Sequence, residues 1–161
     1  MRYALTACVR TAAHTLAGCG STPPHGAAAG GPVTIEGLYE GPISGVDQPG
    51  VSLITSTEQL QSLQSATLAA IPVDFSKQAL VVLALGEQPT GGYWARITGV
   101  RVDGNALVVR GLANRPAPDA MVTQALTTPY CAAVISPPGA ATVRSEIESV
   151  VGQQPPPHDQ P

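Results

Sequence analysis

Residues 79 to 86 read ALVVLALG, a continuous apolar run closed by a glycine. The run is too short for a free-standing helix and is β-branched at its centre. It predicts a central strand buried on both faces. With 17 glycines, 16 prolines and only 4% aromatic residues, the surrounding chain is expected to be rich in turns and poor in long helices.

Periodicity places the other elements. Val33 to Glu40 reads as a strand with Val33, Ile35 and Gly37 on one face, followed by a turn-rich stretch in which Ile43 and Val46 pair briefly. One helix is expected in TSTEQLQSLQSATL, opened by a capping box of Thr55 and Glu58 and stopped by Pro72, with Leu60 and Leu63 facing the sheet. Residues 93 to 102 alternate, with Trp94, Thr98, Val100 and Val102 on one face and Tyr93, Ala95 and Ile97 on the other. Asp103-Gly104 turns this strand into its partner ALVVRGL. NRPAPDA is a loop, MVTQALTTPY begins as a strand and turns at Pro129, and CAAVIS is a strand. In TVRSEIESV, alternation of Thr142, Arg144 and Glu146 with Val143, Ser145 and Ile147 favours a strand over a short helix. The expectation is a mostly β domain over residues 33–150, an antiparallel sheet or compact sandwich with one helix packed on it.

The N-terminus reads as an address. Arg2 is a short positive region, Tyr3 to Val9 is apolar, and Leu16-Ala17-Gly18-Cys19 resembles a bacterial lipobox, although Arg10 and His14 interrupt the apolar run. The resemblance implies a lipoprotein signal over 1–18 and a lipid (palmitate among its acyl chains) on Cys19. Such acyl chains can hold a soluble domain on a membrane. Gly20 after the cysteine favours the outer membrane, periplasmic face, in a two-membraned bacterium. Residues 19–32 then form a flexible linker, and 151–161 a disordered Pro-rich tail. No run reaches the roughly 18 apolar residues of a transmembrane helix.

Charge and residue inventory exclude several chemistries. The net charge is −3 and the basic residues are spaced singly, unlike the clustered cations of a nucleic-acid binder. His14, His25 and His158 all fall outside 33–150, so the domain has no imidazole for a Ser-His-Asp or Cys-His pair. Cys131 lacks a disulfide partner in the mature chain and is expected to pack as a small apolar side chain. Ser76 and Lys77 are adjacent and would point apart on a strand. The carboxylates lack the aromatic platforms of a sugar site, and zinc, calcium and phosphate-loop patterns are missing. The chain is therefore read as no enzyme, with neither cofactor nor metal. Recognition remains, and its candidate is the loop Pro89, Thr90, Gly91, Gly92, Tyr93 and Trp94. Glycines there permit close backbone approach, and Trp94 is the one tryptophan. Tyr130, after Thr127-Thr128-Pro129, reads instead as a buried residue.

Asp74-Phe75-Ser76, the pattern G-x-x-P-T-G-G-Y (Gly86, Pro89 to Tyr93) and Gln124 to Thr127 with Pro129 and Tyr130 resemble, over roughly 74–138, the C-terminal domain of the protease complex subunit PrcB family. The resemblance implies a non-catalytic exported lipoprotein domain that binds an envelope protein and stabilises a protease complex. It carries over no active-site residues. The same loop is more faintly similar to the N-P-T-T-G-Y wedge of chagasin-like cysteine-protease inhibitors, with Gln88 in place of the Asn and Ala117 after Arg115-Pro116 where an aromatic is expected. Inhibition through the 88–94 loop, or binding of a small ligand or glycan, are the alternative readings.

Overall fold

The computed structural model describes residues 30–154. The expected signal, the lipid site Cys19, the linker up to residue 29 and tail residues 155–161 lie outside the described residues. The elements are β1 (Ile35–Gly41), β2 (Pro49–Ile54), α1 (Thr57–Ser62), α2 (Ala66–Ala69), β3 (Ala79–Leu85), β4 (Trp94–Asp103), β5 (Ala106–Arg115), β6 (Tyr130–Ile135) and β7 (Thr142–Val151). They form a mostly β protein of two sheets, β1-β6-β3-β2 and β4-β5-β7.

The apolar run is β3, hydrogen-bonded to β2 on one edge and β6 on the other. Its two faces bury different partners. Ala79, Val81 and Leu83 pack between the sheets with Ala95, Ile97 and Val100 of β4, Leu107 and Val109 of β5, and Cys131, Ala133 and Ile135 of β6. Leu80 and Val82 face the other way, under Ile54, Leu60, Leu68 and Ile71 from β2 and the helical segment. Each fully buried Val or Leu contributes roughly 1.5–3 kcal/mol, so β3, with no residue from Ala79 to Ala84 above 5% exposure, anchors both cores.

The expected helix is two short ones. Ser56, not Thr55, is the first N-cap: its side chain accepts from the Gln59 amide, and Gln59 Oε1 accepts from the Thr55 amide and hydroxyl. The S/T-x-x-E/Q pattern fits both registers; Ser56 caps the Gln59 amide, while the Gln59 side chain reaches back to Thr55, one residue before the cap. The chain breaks at Gln64, whose φ is +52°, and restarts at a second cap, Ser65. Ser65 Oγ also donates to the Ser44 carbonyl, tying α2 to the loop after β1.

Two bulges overturn the expected faces. A register shift between Ile97 and Gly99 lets Val100 join Ala95 and Ile97 in the core, where strict alternation puts it with Trp94. A second, between Ile35 and Gly37, pairs Ile35 with Ile135 but Gly37 with Val134, so these two share no face. The strand also begins at Ile35; the Val33 amide instead donates to the Val100 carbonyl on the edge of β4. The hairpin loop is Gly104-Asn105, with Gly104 at φ +60° and Asp103 the last residue of β4. Residues 121–126 make no strand. β7 is a strand but runs parallel to β5, because the chain passes through β6 in the opposite sheet before returning.

Candidate functional site

The chain crosses from β3 in one sheet to β4 in the other through residues 86–93, and this crossing is pinned rather than free. Gln88 and Thr127 exchange both backbone hydrogen bonds, at 2.7 and 3.0 Å. Thr127 Oγ1 donates to the Thr90 carbonyl at 2.9 Å, and the Gly91 amide donates to the Thr123 carbonyl at 2.9 Å. Gly91 is buried beneath Thr123, where a side chain would collide with the threonine. Gly92 has φ +83°, and a Cβ there would sit 2.8 Å from Val122 Cγ1 and 3.1 Å from Pro116 Cβ. The two stretches QPTGG and TQALT thus interlock, which gives both a structural reason to be what they are.

Asn114, 2% exposed near the end of β5, completes the local framework. Its Nδ2 donates to the Gly92 carbonyl at 3.1 Å, and its Oδ1 accepts from the Gln153 amide at 3.1 Å. Trp94 Nε1 donates to the Gln153 carbonyl at 3.0 Å. Residues expected to begin a free tail are therefore held against the loop, with the Gly152 amide bonded to the Arg115 carbonyl at 2.9 Å.

Beside this framework lies a groove of about 570 Å³. Its lining comes from Gly92 to Ala95, Pro116, Ala117 and Ala120 to Val122 of the next loop, Glu40 to Pro42, Tyr130, Asn114 and Gly152 to Gln154. Of the loop singled out from sequence, Gly92, Tyr93 and Trp94 line the groove, whereas Pro89, Thr90 and Gly91 do not. Tyr93 and Trp94 are both half-buried, neither in a core nor fully outward. Met121 is fully exposed on the same groove, and Tyr130 is 7% exposed, buried as expected yet part of the lining. Asn114, Met121 and the 152–154 segment were not singled out from sequence. The faint signals were a polar residue inside the apolar β5 pattern and an unpaired methionine in a Pro-rich loop.

Behind the groove Arg96 Nε lies 3.4 Å from Glu40 Oε1. Glu40 Oε1 is also 3.7 Å from Cys131 Sγ, which accepts from the Ile97 amide at 3.1 Å. Burial pushes the Cys131 thiol well above its ordinary range, and the Glu40 charge pushes the same way. The Ile97 amide and Arg96 oppose the shift without reversing it. A thiol held neutral and fully buried is a packing group, not a nucleophile. Burial, with a contribution from Cys131, also raises the Tyr130 phenol. Among the described residues no three His, Cys, Asp or Glu side chains gather as metal ligands, and no helix is long and apolar enough to cross a membrane.

This architecture defines a class: a two-sheet β domain with helices over one outer face and an aromatic-lined groove where the chain crosses between sheets. Residues 79–136, from β3 through β6, match the family model described as PrcB C-terminal. The match takes in the 86–93 crossing and the 123–130 stretch that locks it, while Asp74-Phe75-Ser76 lies just before it. Neither the curated proteins nor the solved structures contain a match to the chain.

Proposed function

We propose that this chain is a non-catalytic envelope protein that docks an extended segment of a partner, as a subunit supporting a protease complex. Cys19 would carry the lipid that keeps it at the membrane, on the periplasmic face of the outer membrane in a two-membraned bacterium. The single observation that carries the docking reading is the groove: half-buried Tyr93 and Trp94 line the same space as fully exposed Met121. Aromatic and methionine side chains bring large apolar area at low entropic cost and are the common anchors of recognition surfaces. The PrcB C-terminal match directs the choice of partner toward a protease complex. The pinned Gly91 gives no support to insertion of the 88–94 loop into a protease cleft.

Cross-linking in intact envelopes followed by affinity capture and mass spectrometry tests the reading. An envelope protease or its complex is expected with the wild-type chain and lost with Met121→Glu. Equal recovery by both chains, or no protease in either, overturns it. Labelled palmitate incorporation that survives Cys19→Ala would overturn the anchor.

A further inference from the structure

We infer that the outer edge of β7 pairs antiparallel with the same edge of a second copy, joining two β4-β5-β7 sheets into one. β7 ends its sheet: one side meets β5, and the other meets no strand among the described residues. The Thr142 and Gly152 amides, at its two ends, donate to the Asn105 and Arg115 carbonyls. Backbone groups along a strand turn alternately to its two sides, so the even-numbered residues bond to β5. The N–H and C=O groups of Val143, Ser145, Ile147 and Ser149 turn to the open side, where no described residue bonds them. Edge strands ordinarily carry devices against further pairing. Here β1 has a bulge, β2 begins at Pro49, and β4 is bridged by Pro32 and Val33. β7 keeps register with β5 over all 10 of its residues and contains neither proline nor glycine.

Charge selects the partner. Arg144, Glu146 and Glu148 are all exposed and share one face of β7. Glu146 is held by Arg101 at 3.1 Å and by Arg110 at 3.5 Å, whereas Arg144 and Glu148 have no ion-pair partner among the described residues. With a two-fold axis at Glu146, Arg144 lies opposite Glu148 of the second copy, and Glu148 opposite its Arg144. Both pairs fall at non-hydrogen-bonded positions, where facing side chains approach most closely. The two Glu146 carboxylates also face each other, each already beside two guanidiniums. Moving the axis to Ile147 sets Glu146 against Glu148 twice, and moving it to Arg144 sets arginine against arginine. Moving it to Ser145 spends Arg144 on the Glu146 already held, and shortens the ladder. The edge is thus self-complementary in one register, as a two-fold interface requires. None of Arg144, Glu146 and Glu148 lines the groove, so this pairing and the docking of a partner there are separate.

Sedimentation velocity on the full-length chain tests this, with Cys19→Ala and reducing buffer so that neither a lipid nor a disulfide adds association. A dimer is expected. Arg144→Glu and Glu148→Arg, made separately, each replace two attractions with two repulsions and should raise the dissociation constant roughly tenfold or more. Mixed in equal amounts, or combined in one chain, they should restore the dimer. Ser145→Pro removes an outward donor that β5 does not use, so the fold should survive and the dimer should not. Met121→Glu, in the groove, should leave the dimer unchanged. Amide exchange at Ser145 and Ile147 should be slow in the dimer and quicken on dilution. A monomer at every concentration up to about 1 mM overturns the inference, as does a dimer that withstands both Arg144→Glu and Ser145→Pro. Slow exchange that persists on dilution would put a segment of the same chain on this edge and overturns it too.

Discussion

Gly92 shows what a single residue contributes to the interlock of two loops. Its φ of +83° is costly for any residue with a side chain, by roughly 1–2 kcal/mol. The space its Cβ would need is held by Val122 and Pro116. Gly104 has a similar φ of +60° but nothing within 4 Å of its Cβ position. Gly92→Ala is therefore expected to destabilise more than Gly104→Ala, by the steric part alone, in urea unfolding. Equal losses would show that the loops do not press on one another. Cys131 makes a second residue-scale prediction. Its folded-state pKa is raised, so above about pH 8.5 the unfolded chain loses the thiol proton while the folded chain keeps it. The folded state then binds more protons, and stability falls as pH rises, by up to about 1.4 kcal/mol per pH unit from this group. Urea midpoints from pH 7 to 10 should show the decline, and Cys131→Ala should flatten it. The glycine pair was conspicuous in the sequence as turn chemistry. Its cause was not, because Val122 and Pro116 are brought to it only by the fold.

Among the elements, hydrophobic pattern served best where the strand is simple. The continuous run of β3 and the alternation of β7 were read correctly, since burial on two faces and on one face leave different periods. Alternation failed in β1 and β4 because each carries a bulge, and one extra residue flips every side chain beyond it. The parallel pairing of β5 and β7 was not legible either, because period two does not record strand direction. Asn114 ties elements together that sequence reading left apart: the crossing loop, the end of β5 and the stretch after β7. Asn114→Leu would leave the Gly92 carbonyl and the Gln153 amide without this partner. A cost of about 1–3 kcal/mol is expected from groups so stranded. Hydrogen exchange should speed up at Gln153 and in the 91–94 loop while β3 stays protected. A uniform change across all strands would mean that Asn114 supports the core rather than this junction.

At the scale of the whole molecule, the family match and the folding unit are not the same length. Residues 79–136 contain β3 to β6, which include the central strands of both cores. They lack β1, which covers the free edge of β6, and β2, which covers the free edge of β3. They also lack Leu60, Leu68 and Ile71, which cover Leu80, Val82, Ala132 and Val134, and β7, the partner of β5. A fragment cut to the match would expose three unpaired strand edges, on β6, β3 and β5, and one apolar sheet face, a combination that favours association over folding. The groove would lose its Glu40 to Pro42 and Gly152 to Gln154 lining in the same cut. This also explains why the site was only partly visible beforehand: Trp94 and its acceptor Gln153 are 59 residues apart, and neither residue type announces the other. Residues 79–136 expressed alone are therefore expected to aggregate, or to give far-UV circular dichroism without a cooperative thermal transition. Residues 30–154 are expected to unfold in one transition and keep the Trp94–Gln153 contact. A soluble 79–136 fragment with dispersed amide resonances would show instead that β3 to β6 form a self-sufficient core, with the other strands as additions to it.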